Sequence, residues 1–101
     1  MTASQQRAMQ ERWPQMGIEF NTRLLDLADT FGRNAPLVVE IGFGNGDSLV
    51  QQAALHPECD FLGIEVHVPG VGHCLLAARD AELSNLRLIS HDAIEVLQQM
   101  I

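Results

Sequence analysis

The 101 residues contain no lysine, no tyrosine, one tryptophan and two cysteines. Six arginines stand against 13 carboxylates, which leaves a net charge of −7 at pH 7. Nucleic-acid backbones are gripped by clustered lysine and arginine. The arginines scattered from Arg7 to Arg87 form no cluster, so these residues by themselves offer no phosphate-neutralising surface. Cys59 and Cys74 match no zinc or redox spacing, and read as two reduced thiols packed in a cytosolic domain. No apolar run approaches the length of a membrane span. The start, Met1-Thr2-Ala3-Ser4, lacks the apolar stretch of a signal peptide, so a cytoplasmic location without a membrane partner is expected. Repeats and low-complexity stretches are absent as well.

What remains is a chain of one-domain length with 47% apolar residues, enough to build a core. Residues 1–17 are polar and Gln-rich and suggest an arm or a short helix. Ile18, Leu24, Leu25, Leu27, Ala28 and Phe31 recur at roughly helical spacing and predict a helix over 18–31. After Gly32 and Pro36 the pattern alternates. Leu37 to Ile41 is an apolar, β-branched run suited to a strand buried on both faces. A glycine-rich turn leads into a helix over 48–55, stopped by His56-Pro57. Asp60 to Val66 is a second strand. Pro69-Gly70 opens a helix ending near Ser84-Asn85, Leu86 to Ile89 is a third strand, and Asp92 caps a helix running to Ile101. This rhythm predicts an α/β fold with a parallel sheet in 3-2-1 order and flanking helices. Two regions are expected: an N-terminal arm and helix over 1–35, and a ligand-binding unit over 36–101.

The stretch Glu40-Ile41-Gly42-Phe43-Gly44-Asn45-Gly46-Asp47 is the most informative. A lone Gly-x-Gly is weak, but this one follows a strand and opens a helix. A pyrophosphate would favour a helix N-terminus free of carboxylates. Glu40 and Asp47 flank the turn and instead suit a ligand with positive charge, such as the sulfonium and ammonium groups of S-adenosylmethionine. Glu65, about 20 residues beyond the turn and at the end of the second strand, stands where a carboxylate grips a ribose diol. A surface glutamate closing a strand is the plainer alternative. Asp92 ends the third strand similarly; it could accept from an adenine amino group, cap the next helix, or both. His67, His73 and Cys74 match no common metal site, and none is expected.

Beyond these single features, Val39 to Gly46, Phe61-Leu62-Gly63-Ile64-Glu65-Val66-His67, Pro69-Gly70-Val71-Gly72, Leu83 to Arg87 and His91-Asp92-Ala93 closely resemble bacterial tRNA (guanine-N7-)-methyltransferases. Gln5-Gln6-Arg7-Ala8, Trp13-Pro14 and Gly17 fit the same family. The resemblance implies a class I methyltransferase, Rossmann-like fold that carries a methyl group from S-adenosylmethionine to N7 of a guanine in the tRNA variable loop. It implies cofactor contacts at Glu40, Glu65 and Asp92, with backbone groups around Gly42, Gly44, Gly46 and Ala93. The family continues with a strand bearing Pro-Asp-Pro-Trp and a basic segment, and has a basic N-terminal extension; none of these has a counterpart here. The motif's aspartate is therefore missing, and no catalytic residue is assigned. A chain stopping at Ile101 is expected to be an incomplete cofactor half, inactive alone and prone to self-association through an exposed edge at 37–41. The competing expectation is a non-catalytic cofactor-binding remnant or a subunit needing a partner chain.

Overall fold

All 101 residues are described by the computed structural model. The three apolar runs form β1 (Leu37–Ile41), β2 (Asp60–Glu65) and β3 (Leu86–Ser90). They pair in parallel in the order β1-β2-β3, the predicted 3-2-1 arrangement, with Glu40 opposite Gly63 and Glu65 opposite Ser90. The helices are α1 (Ala3–Met16), α2 (Leu27–Phe31), α3 (Asp47–Leu55), α4 (Val68–Asp80) and α5 (Ala93–Gln99).

Strand alternation sends side chains into two cores. On one face Phe61, Leu86 and Leu88 meet Leu49 of α3, Val71 and Leu75 of α4, and Ala8 and Met16 of α1. On the other, Leu62, Ile64 and Ile89 meet Val96 and Met100, with Ile18, Phe20 and Leu25 packed against them. Full burial of each large side chain contributes roughly 1.5–3 kcal/mol. The polar stretch 3–16 becomes a helix because Thr2 and Gln5 form a reciprocal capping box, and its small Ala8 lies against α4.

The helix expected over 18–31 forms only at its end, Leu27–Phe31. Ile18 donates its N–H to the Leu88 carbonyl (2.8 Å), which holds the chain extended along the outer edge of β3. Asn21 Oδ1 then accepts from Arg23 N–H, and Asp26 caps α2, so polar side chains compete for the backbone groups a helix would need. The apolar spacing is used for the core all the same. Helix α4 stops at Asp80, short of Ser84, because Glu82 turns left-handed (φ 54°) and Leu83 N–H returns to the Ala78 carbonyl. Helix α5 ends at Gln99, before the last residue.

Polar ties close the ends of the strands. Arg33 donates twice to the buried Asp60 (2.7 and 3.0 Å) and once to each of the Pro57 and Cys59 carbonyls. Asn85, buried, directs its amide nitrogen at the carbonyls of Ala53, His56 and Cys59. Burial lowers the pKa of Arg87, whose guanidinium lies 5.1 Å from the Phe31 ring centroid. The outer edge of β1 has no strand beside it, and Val38 and Ile41 are 41% and 52% exposed. No helix is long and apolar enough to cross a membrane.

Candidate functional site

The turn between β1 and α3 places Gly42, Gly44 and Gly46 all in the left-handed region (φ 70°, 66° and 82°). Gly46 is doubly constrained, since a Cβ there would also lie 2.4 Å from Cys74 Sγ. The turn is held from the next strand. Glu65 Oε1 accepts the Gly44 N–H at 2.6 Å, and Oε2 accepts the N–H groups of Val66 and His67 at 2.9 and 3.0 Å. These donors, His67 first, hold the buried carboxyl below its ordinary range against the opposing effect of burial. One carboxylate thus fastens the glycine turn to the end of β2.

Around this tie lies an open cleft of about 160 Å³, lined by Ile41, Gly42, Ile64, Glu65, Val66, His91, Asp92 and Ala93. Gly42, Glu65, Asp92 and Ala93, anticipated from sequence, come together here. Gly44 flanks them through its bond to Glu65, whereas Gly46 is buried at the start of α3. Glu40 is not in this cleft; alternation turns it to the opposite side of β1 from Ile41, into a separate cavity with Val38, Leu49, Gln52, His56, Cys59 and Phe61. Asp92 caps α5 with Oδ2, accepting from Glu95 N–H at 3.1 Å, and its Oδ1 makes no hydrogen bond. Capping therefore leaves an acceptor at the cleft. Glu65 likewise keeps one lone-pair position on Oε1. His91 and the apolar wall of Ile41, Ile64 and Val66 carried no assignment in sequence. The strand-end periodicity of Ile41 and Ile64 could have suggested the wall, but nothing local indicates His91.

Two further contacts organise the site. Gly70 in the first turn of α4 touches the glycine turn so closely that a Cβ would lie 2.1 Å from the Gly44 carbonyl oxygen. His73 of α4 pairs with Asp47 of α3 (2.9 Å). His67, His73 and Cys74 do not converge, and no three His, Cys, Asp or Glu side chains come together as metal ligands do.

Replacing Glu65 with Gln exchanges one acceptor oxygen for a donor that faces a backbone N–H. Glu65→Gln is expected to cost about 1–3 kcal/mol in urea unfolding at pH 7. The wild-type carboxyl has a lowered pKa, so its advantage is complete above about 4.5, its ordinary value. The gap between the two proteins should shrink as pH falls below that value, and a pH-independent gap would contradict the carboxylate's role. Cys74 behaves differently: burial, then the Asp47 and Glu40 carboxylates, push its thiol up to about 12. A thiol-specific disulfide reagent should modify only the half-buried Cys59 in the native chain and both thiols in denaturant. Rapid native labelling of Cys59→Ser would contradict that burial.

A three-stranded parallel sheet with a glycine turn and acidic strand ends defines a Rossmann-like α/β architecture. Residues 34–101 match the model of the family described as "Putative methyltransferase", and the chain belongs to that family. Over all 101 residues it is similar to proteins named tRNA (guanine-N(7)-)-methyltransferase, with 59% identity in Edwardsiella ictaluri, 58% in Pectobacterium atrosepticum and 56% in Photorhabdus laumondii. It spans 42% of the length of each of these relatives.

Proposed function

We propose that this chain carries the S-adenosylmethionine site of a tRNA guanine-N7 methyltransferase, with residues 1–35 as an arm and helix and residues 36–101 as the cofactor-binding half. The observation that carries the reading is the cleft that joins Glu65 and the uncommitted oxygen of Asp92 to the glycine turn. Its polar side chains are acceptors and an imidazole, with no arginine, which suits a donor bearing positive charge better than a pyrophosphate. The cleft is small beside whole-ligand pockets of roughly 300–1,000 Å³, so it would take the nucleoside end.

In that reading Glu65 holds Gly44 in place and offers its remaining lone pair to a ribose hydroxyl. Asp92 Oδ1 accepts from the exocyclic amino group of the base, and the backbone of Gly42 and Ala93 completes the surround. Glu40 lies outside the cleft, in the cavity on the other side of β1, so its part in this reading is limited to long-range attraction of the donor's positive charge. When bound, S-adenosylmethionine supplies an electrophilic methyl group on sulfur. Guanine N7 already carries its lone pair, so the protein needs no strong base and contributes alignment. The tRNA-binding surface and substrate side of the reaction belong to residues outside these 101, consistent with their net charge of −7. The proposed location is the cytoplasm, where such a substrate is found. The open edge of β1 is proposed to make the isolated chain self-associate.

Calorimetry with S-adenosylhomocysteine and NAD, beside an assay for N7-methylguanosine in unmodified tRNA, tests this. Saturable binding of the first ligand, none of NAD, and no methylated tRNA are expected. Preference for NAD, or methylation by the isolated chain, would overturn the cofactor assignment or the division of labour, respectively.

A further inference from the structure

Phe20 and His91 stack face to face, with ring centroids 3.8 Å apart and planes 8° from parallel. Phe20 lies in the extended segment between α1 and α2, and His91 lies in the turn between β3 and α5. The second restraint on the imidazole is Glu95, whose Oε2 is 3.2 Å from His91 Nε2. Phe20 is itself held against the apolar cluster of Leu62, Ile64 and Ile89. An imidazole fastened at one face and one ring nitrogen has little freedom to rotate, and this one lines the cleft beside Asp92 and Ala93. A residue in the segment before the sheet therefore fixes part of the ligand site.

We propose that Phe20 is a positioning residue for the adenosyl moiety, holding His91 as a fixed wall on the nucleoside side of the cleft. The inference rests on the cofactor reading above and adds a role for the segment before β1. A purine presents flat apolar faces, and the cleft meets it with Ile41, Ile64, Val66 and an imidazole whose orientation is already set. Ordering that ring before binding removes an entropic cost from association. Simple packing makes a different demand on residue 20, because leucine would fill the same apolar place without stacking.

Affinity of the 101-residue chain for adenosine and S-adenosylhomocysteine, measured by calorimetry, separates these roles. Phe20→Leu and His91→Ala should each weaken both ligands by about three- to tenfold, the range of one aromatic pair. Phe20→Tyr, which keeps the stack, should bind like the unmutated chain. The double variant Phe20→Leu/His91→Ala should be no weaker than the weaker single one, since both remove the same wall. Undiminished binding by Phe20→Leu, or independent additive losses, would overturn the proposal while leaving the cofactor reading intact. Failure of the unmutated chain to bind either ligand would overturn both. His91→Ala alters a partly exposed turn residue, so it carries the test if Phe20→Leu does not fold.

Discussion

Gly70→Ala should unsettle the glycine turn and weaken S-adenosylhomocysteine binding by more than about tenfold, although alanine is the better helix former. In an ordinary exposed helix that exchange stabilises by about 1 kcal/mol. Here the new Cβ would lie 2.1 Å from the carbonyl oxygen and 2.9 Å from the carbonyl carbon of Gly44. Both are backbone atoms and cannot swing aside as the end of a side chain would. Either the turn or the start of α4 must move, and the Gly44 N–H bond to Glu65 is lost or lengthened with it. A loss of more than about tenfold in affinity corresponds to at least about 1.4 kcal/mol, and the overpacking should also cost about 1–3 kcal/mol in stability. Calorimetry and urea unfolding on the same variant measure both quantities. A more stable protein with undiminished affinity would show that the contact does not position the turn.

Asn85→Asp is expected to be the most damaging single change to the fold. The Asn85 amide nitrogen lies 2.9, 3.2 and 3.0 Å from the carbonyls of Ala53, His56 and Cys59, and so ties the end of α3 to the loop before β2. A carboxylate there would oppose three carbonyl oxygens in a buried site, a loss of about 3–5 kcal/mol or more. That is a large share of the 5–15 kcal/mol typical of a domain. Asn85→Ala removes the donor without adding charge and should cost less, about 1–3 kcal/mol. Far-UV circular dichroism at neutral pH should find Asn85→Asp largely unfolded and Asn85→Ala folded. Equal stability of the two would show that charge opposition is not the cause.

These two positions mark how far the chain could be read from its residues alone. The strand order and the strand–glycine–helix turn follow from local patterns: β-branched runs bounded by Pro36 and Gly42, and glycines where the backbone turns left-handed. Glu65 and Asp92 were legible because strand ends and helix caps have fixed offsets. The meaning of Gly70 was not, since its reason is the Gly44 carbonyl across a gap of 26 residues. The stack of Phe20 on His91 and the three acceptors of Asn85 are likewise long-range contacts without a local signature. The segment 18–26 misled for a related reason: its apolar spacing is helical, but the β3 edge and the side chains of Asn21 and Asp26 claim its backbone. Glu40 directly precedes the turn in sequence, but strand alternation sends it to the opposite side of β1 from the cleft.

One cleft, organised by Glu65, is proposed to take the adenosyl end of the methyl donor. Titration of the ¹⁵N-labelled chain with S-adenosylhomocysteine, followed by amide chemical shifts, tests it most directly. Saturable shifts concentrated at Gly42, Gly44, Val66, His67, Asp92 and Ala93 are expected, and in Gly70→Ala all of them should need more than about tenfold more ligand. Shifts confined to the cavity around Val38, Gln52 and His56, or no shifts at saturating ligand, would contradict it.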